Sequence, residues 1–145
     1  MRKLLTVAAL FASLHGAPGG AATPGLWEYR SFAEIPGLDP QMAAASPLGQ
    51  LTGKRIFRAC VGVDGVPAQP PGTGQCAVSD VRSDGTTVTW HVSCQTPQGE
   101  AAGNGKAIYA GDSVKARMDM QGDMGGFPIA IIIHTSGSFS GACAR

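Results

Sequence analysis

A run of eight residues, Thr87 to Cys94, sets the terms for the whole chain. Val88, Trp90, Val92 and Cys94 alternate with Thr87, Thr89, His91 and Ser93, the period-2 pattern of a strand with one buried and one wet face. Just before it, Asp84-Gly85 follows a second β-rich run, Cys76 to Arg82. Asp-Gly between two such runs signals a hairpin, because these residues tolerate positive φ. A three-residue loop at Asp84-Gly85-Thr86 sets Val78 opposite Val92 and Cys76 opposite Cys94. Directly opposed Cβ atoms lie ~4.5–5.5 Å apart, near the reach of a disulfide. The segment predicts an antiparallel pair and a covalent staple within it.

The rest of the chain repeats the theme. Ala110-Gly111-Asp112-Ser113 joins Gly103–Tyr109 to Val114–Gln121. In the latter, Val114, Ala116, Met118 and Met120 alternate with Lys115, Arg117, Asp119 and Gln121, as a sheet with one wet side requires. Ile129 to about Thr135 is apolar on both faces at Ile129–Ile133, which suits a central or well-covered strand better than an open edge. Leu26–Phe32 and Arg55–Val61 are further strand candidates. Pro36–Gly53 and Val63–Gln75 read as Pro/Gly loops, the first with a short helix around Gln41–Ala45. The expected fold is all-β: one antiparallel meander of about seven strands, closed into a small barrel or a strongly curved half-barrel that buries the apolar faces.

Four cysteines permit three pairings. The hairpin register selects Cys76–Cys94, and elimination leaves Cys60–Cys143, which ties an early strand to the last one. In the chain-entropy model, closing ~19- and ~84-residue loops contributes ~3 and ~4.6 kcal/mol, large beside the ~5–15 kcal/mol net stability of a domain. Successive cysteines are separated by 15, 17 and 48 residues with no Cys-x-x-Cys, unlike a zinc site or a redox dithiol.

Met1-Arg2-Lys3, the apolar run Leu4–Leu14 and the small residues up to Ala22 form the three regions of a secretory signal peptide, expected to be cut after Ala22. About 11 apolar residues are too few to span a ~30 Å hydrocarbon core as a helix. No cysteine follows that run, so a lipid anchor is not expected either. Residues 1–22 are therefore read as leader, and residues 23–145 as one β-rich domain in an oxidising, periplasmic compartment where structural disulfides persist. Removing Arg2 and Lys3 leaves 9 basic against 10 acidic side chains. That balance gives no basic excess for nucleic acid. No later apolar stretch approaches 18 residues, so no membrane span is expected in the mature chain.

Candidate chemistries meet simpler explanations. Met118, Met120 and Met124 with His134 supply the soft ligands that select Cu(I); equally, Met118 and Met120 sit at i and i+2 on an apolar strand face, where Met fills gaps. His91 falls on the polar face, opposite in sense to Trp90. Gly137-Ser138-Phe139-Ser140-Gly141 superficially resembles a nucleophile elbow, but its central residue is Phe139. Asp112, Asp119 and Asp123 lack the spacing of a calcium loop, and Gly103-x-Gly105 lacks the Lys and helix of a phosphate loop. The aromatics, foremost Trp27, Tyr29, Trp90 and Tyr109 and joined by Met118 and Met120, line either the core or a lipophilic pocket inside the curved sheet.

Thr23-Pro24-Gly25-Leu26-Trp27-Glu28-Tyr29, the lone Cys60, Cys76 ahead of a short strand and Thr87-Val88-Thr89-Trp90-His91-Val92-Ser93-Cys94 occur in a distinctive order. Gly103-Asn104-Gly105, Tyr109–Ser113 and Gly141-Ala142-Cys143 complete it. From about Pro24 to Cys143 the chain resembles domain-of-unknown-function family 3617, small exported proteins of Gram-negative bacteria. The resemblance implies a periplasmic, disulfide-bonded domain and carries no catalytic residues to transfer. The chain departs from the family's usual basic residue before the final Gly-x-Cys, having Ser138-Phe139-Ser140 there.

The function expected from these features is a non-enzymatic periplasmic binding or interaction module, without a cofactor, for an apolar small molecule or an envelope protein. The alternative is an envelope stress or metal-handling protein using the Met cluster. A hydrolase ranks third, since no Asp, His and Ser spacing supports one.

Overall fold

A computed structural model describes residues 22–46, 49–70, 74–96 and 99–144. Nearly all of the expected leader, residues 1–21, lies outside the described residues. The elements in chain order are β1 (Gly25–Glu34), α1 (Pro40–Ala45), α2 (Gly49–Thr52), β2 (Arg55–Val61), β3 (Gln75–Asp84), β4 (Thr87–Thr96), β5 (Gly99–Ala110), β6 (Ser113–Met124) and β7 (Phe127–Gly141). All seven strands form one antiparallel sheet in the order β2-β1-β7-β6-β5-β4-β3. The sheet curls into a half-barrel. Sequential neighbours pair except β2 with β3, and β7 returns to pair with β1, so the break in an up-and-down barrel falls between β2 and β3, the two edge strands.

Register follows alternation. Trp27, Tyr29 and Ser31 of β1 face Phe139, Gly137 and Thr135 of β7. Val88, Trp90, Val92 and Cys94 of β4 face Ala107, Gly105, Gly103 and Ala101 of β5. These residues share the concave face with Val114, Met118 and Met120 of β6, and together they form the core. Trp27 packs edge-on against Tyr109 and Phe139 at centroid distances of 5.5 and 5.8 Å, and Tyr29 stacks on Phe57 at 5.3 Å, geometries that aromatic quadrupoles favour. Gly105 carries no Cβ because the Trp90 ring lies directly on it.

The first hairpin differs from expectation in an instructive way. Its loop has two residues, Gly85 and Thr86, not three: Asp84 pairs with Thr87, Ser83 with Val88 and Arg82 with Thr89. Left uncorrected, that register would put Ala77 opposite Cys94. A bulge intervenes where Asp80 and Val81 stand against Trp90, with Asp80 at φ 53°. Below it Val78 meets Val92 and Cys76 meets Cys94. A tight turn suited to strand twist and an extra residue in an edge strand together restore the pairing that the cysteines need. Both disulfides are present, Cys76–Cys94 and Cys60–Cys143, the latter tying edge strand β2 to the tail beyond β7.

Candidate apolar cleft

The segment from 62 to 70, expected as a plain Pro/Gly loop, is a strap across the concave face. Gly65, Pro67 and Pro70 are buried, and Val66 and Ala68 pack on the core. Gly65 adopts φ +70°, and its carbonyl accepts a 2.6 Å hydrogen bond from the Tyr109 hydroxyl. Gln69 Nε2 donates to the Met118 sulfur at 3.4 Å. Burial, reinforced by the charge of Asp64, pushes the Tyr109 phenol up to about 12. Burial raises Tyr29 further, its neighbour Tyr109 adding to the rise and the Ala68 backbone opposing it. Even so, the Tyr29 hydroxyl and the Trp90 indole N–H find no partner of hydrogen-bond geometry among the described residues.

The strap and the aromatics together close one end of the half-barrel. The other end stays open. There a cleft of about 130 Å³ is lined by Met120, Ala101 and Gly122 and by Ile129, Ile131 and Ile133 of β7, with the Gln69–Pro70 end of the strap along its side. Arg55, Thr96, Glu100 and Asp123 stand at its border. The three isoleucines are half-buried. The apolar run of β7 does occupy a central strand; on its concave side Ile133 and Ile131 stand opposite Met118 and Met120, but Ile129 stands opposite Gly122, and Gly122 in turn meets only Ala101. Room left by those small residues is what makes a cleft. A volume near 130 Å³ compares with ~150 Å³ for an apolar cavity that takes benzene and falls below the ~300 Å³ lower bound of drug-sized sites. It admits one slim aliphatic chain or a small ring.

The structure distributes the residues singled out from the sequence unevenly. Trp27, Tyr29, Trp90 and Tyr109 are buried at 0, 0, 3 and 2% exposure, and all belong to the core cluster. Of that set only Met120 lines the cleft; Met118 is buried beside it and engaged by Gln69. His134 projects from the opposite face. Its Nε2 lies 3.0 Å from Glu34 Oε2 and its ring stacks on Phe32, so it does not converge with Met118 and Met120. The side chain of Met124 lies outside the described residues. Among the described residues no three His, Cys, Asp or Glu side chains gather at one point, and no helix is long and apolar enough to cross a membrane. His91 lies on the outer face beside Asn104, at 3.2 Å.

Ile129, Ile131 and Ile133 were legible as a strand and not as a lining. The available signal was the small pair Gly122 and Ala101 in line with Ile129 across the concave face, which needs the full register to see.

The chain matches the family described as Protein of unknown function (DUF3617) over residues 22–143. No curated protein and no solved structure matches it.

Proposed function

We propose, for a chain that belongs to the DUF3617 family of proteins of unknown function, a non-enzymatic binding role in which the cleft holds a slim aliphatic group. The observation that carries this reading is the half-buried isoleucine triad facing Met120, Ala101 and Gly122 at the open end of the half-barrel. Apolar side chains left half-wet in a well-paired central strand gain when a ligand removes that surface from water, at roughly 25 cal/mol per Å². The polar border formed by Arg55, Thr96, Glu100 and Asp123 suits a ligand whose tail enters and whose head stays in water. Export to the periplasm accords with two disulfides and with the basic, apolar and small-residue order of the first 22 residues.

The test is native mass spectrometry of protein purified from the periplasm, parent against Ile131→Glu. The reading expects an aliphatic amphiphile bound to the parent, released by organic solvent and missing from a folded Ile131→Glu protein. Parent protein that carries no adduct and takes up no decanoate would contradict it.

A further inference from the structure

The outer face of the sheet carries a feature unconnected with the cleft. Register places Arg82 opposite Thr89, Thr89 opposite Lys106, Lys106 opposite Arg117 and Arg117 opposite His134. These five residues therefore form one straight row across β3 to β7. With neighbouring strands ~4.8 Å apart, the row is roughly 19 Å long. Lys115 stands two residues along β6 from Arg117, on the same face. Together they line a shallow trough of about 960 Å³ whose acidic members are Asp80 and Asp119.

The charges in this trough do not balance one another. Arg117 grips Asp119 with both ends of its fork, at 2.7 and 2.9 Å, and His134 is engaged by Glu34. Arg82, Lys106 and Lys115 have no carboxylate within ion-pair distance among the described residues. Lys106 stands directly opposite Arg117, and like charges in that position destabilise a sheet. The chain is nearly neutral overall, with 11 basic and 10 acidic side chains, so this row is a local concentration and not a consequence of a basic composition.

We infer that the trough binds an extended anion carrying several phosphates, laid across the strands along the Arg82–Lys106–Arg117 row. Phosphate suits it better than carboxylate. In a phosphate chain each interior group carries a full charge and two non-bridging acceptor oxygens on the backbone itself, so successive groups meet the donors of an ammonium and the planar fork of a guanidinium without an intervening flexible side chain. The bound anion would supply the counter-charge that Lys106, Lys115 and Arg82 lack.

The experiment titrates the mature protein with medium-chain inorganic polyphosphate at several salt concentrations. With about three phosphates neutralised, log K should fall against log salt with a slope of about −2. Lys106→Gln with Lys115→Gln should weaken binding at least tenfold and flatten that slope. The same variant should melt no lower than the parent, because the Lys106–Arg117 repulsion is gone. Arg82→Gln, at the exposed edge strand, gives an independent variant whose loss of affinity is expected as well. Absence of polyphosphate binding at low salt overturns the inference, and so does binding indifferent to all three substitutions. Equal binding of polyglutamate overturns the choice of phosphate. Capture by phosphatidylglycerol vesicles without polyphosphate binding overturns it in favour of a bilayer surface.

Discussion

Two buried tyrosines, Tyr29 and Tyr109, sit side by side in the core with different consequences. The Tyr109 hydroxyl donates to the Gly65 carbonyl at 2.6 Å and so pins the strap. Tyr109→Phe leaves a buried carbonyl unsatisfied and should cost ~1–3 kcal/mol in urea denaturation. Tyr29 has no partner of good hydrogen-bond geometry and only the Ala68 backbone nearby, so Tyr29→Phe should cost less than Tyr109→Phe, since it removes a buried hydroxyl that is poorly compensated. The pH dependence has a definite sign. In the unfolded chain the Tyr109 phenol loses its proton near its ordinary 10.0, whereas in the fold it holds it to about 12. Over that interval the unfolded state binds fewer protons, so stability is fully present below pH 10 and falls as pH rises towards 12. Tyr29 is shifted in the same direction. Denaturation midpoints on either side of this window should show the decline, and a Tyr109→Phe protein should show less of it. Gly105 supplies a third residue-scale case. A methyl there would enter the space of the Trp90 ring, and Gly105→Ala should cost ~1–3 kcal/mol by overpacking.

At the scale of elements, β3 and β7 separate what was legible in the sequence from what was not. Hairpin positions and the pairing of Cys76 with Cys94 were readable, because Asp84-Gly85, Ala110–Ser113 and strict alternation are local signals. The bulge at Asp80–Val81 was hidden, since a two-residue turn plus one extra residue yields the same opposed cysteines as a three-residue loop. The full length of β7, from Phe127 to Gly141, was obscured by Gly137 and Gly141. Gly137 is small because Tyr29 and Val114 press on it, a demand set by strands distant in sequence. The fate of residues 62–70 was equally hidden. Strap and loop share the same Pro/Gly composition, and only the curvature of the sheet makes a strap necessary. The bulge yields its own prediction. Deleting Asp80 leaves Val81 alone opposite Trp90 and keeps every pair from Gln75 to Ser79, so the Cys76–Cys94 bridge should still form, as peptide mapping under non-reducing conditions can show. Asp80→Val, which forces a β-branched residue into φ 53°, should instead cost ~1–2 kcal/mol.

The whole molecule is a curled sheet held open at β2/β3 and stapled twice. Cys60–Cys143 closes 83 residues and Cys76–Cys94 closes 18. Replacing the first pair by serine should therefore cost more than replacing the second, ~4.6 against ~3 kcal/mol in the chain-entropy model, by chemical denaturation of the two double variants. The staples and the β1–β7 pairing hold the rim of the half-barrel, so the cleft can stay half-empty without the sheet collapsing onto it. The most direct measurement is a decanoate titration of protein with labelled isoleucine methyl groups, followed by NMR. Ile129, Ile131 and Ile133 should shift together and saturate, while Ile132 on the outer face and Ile56 and Ile108 stay in place. No change in the three inward methyls, or equal changes at all the isoleucines, would contradict a ligand seated in the cleft.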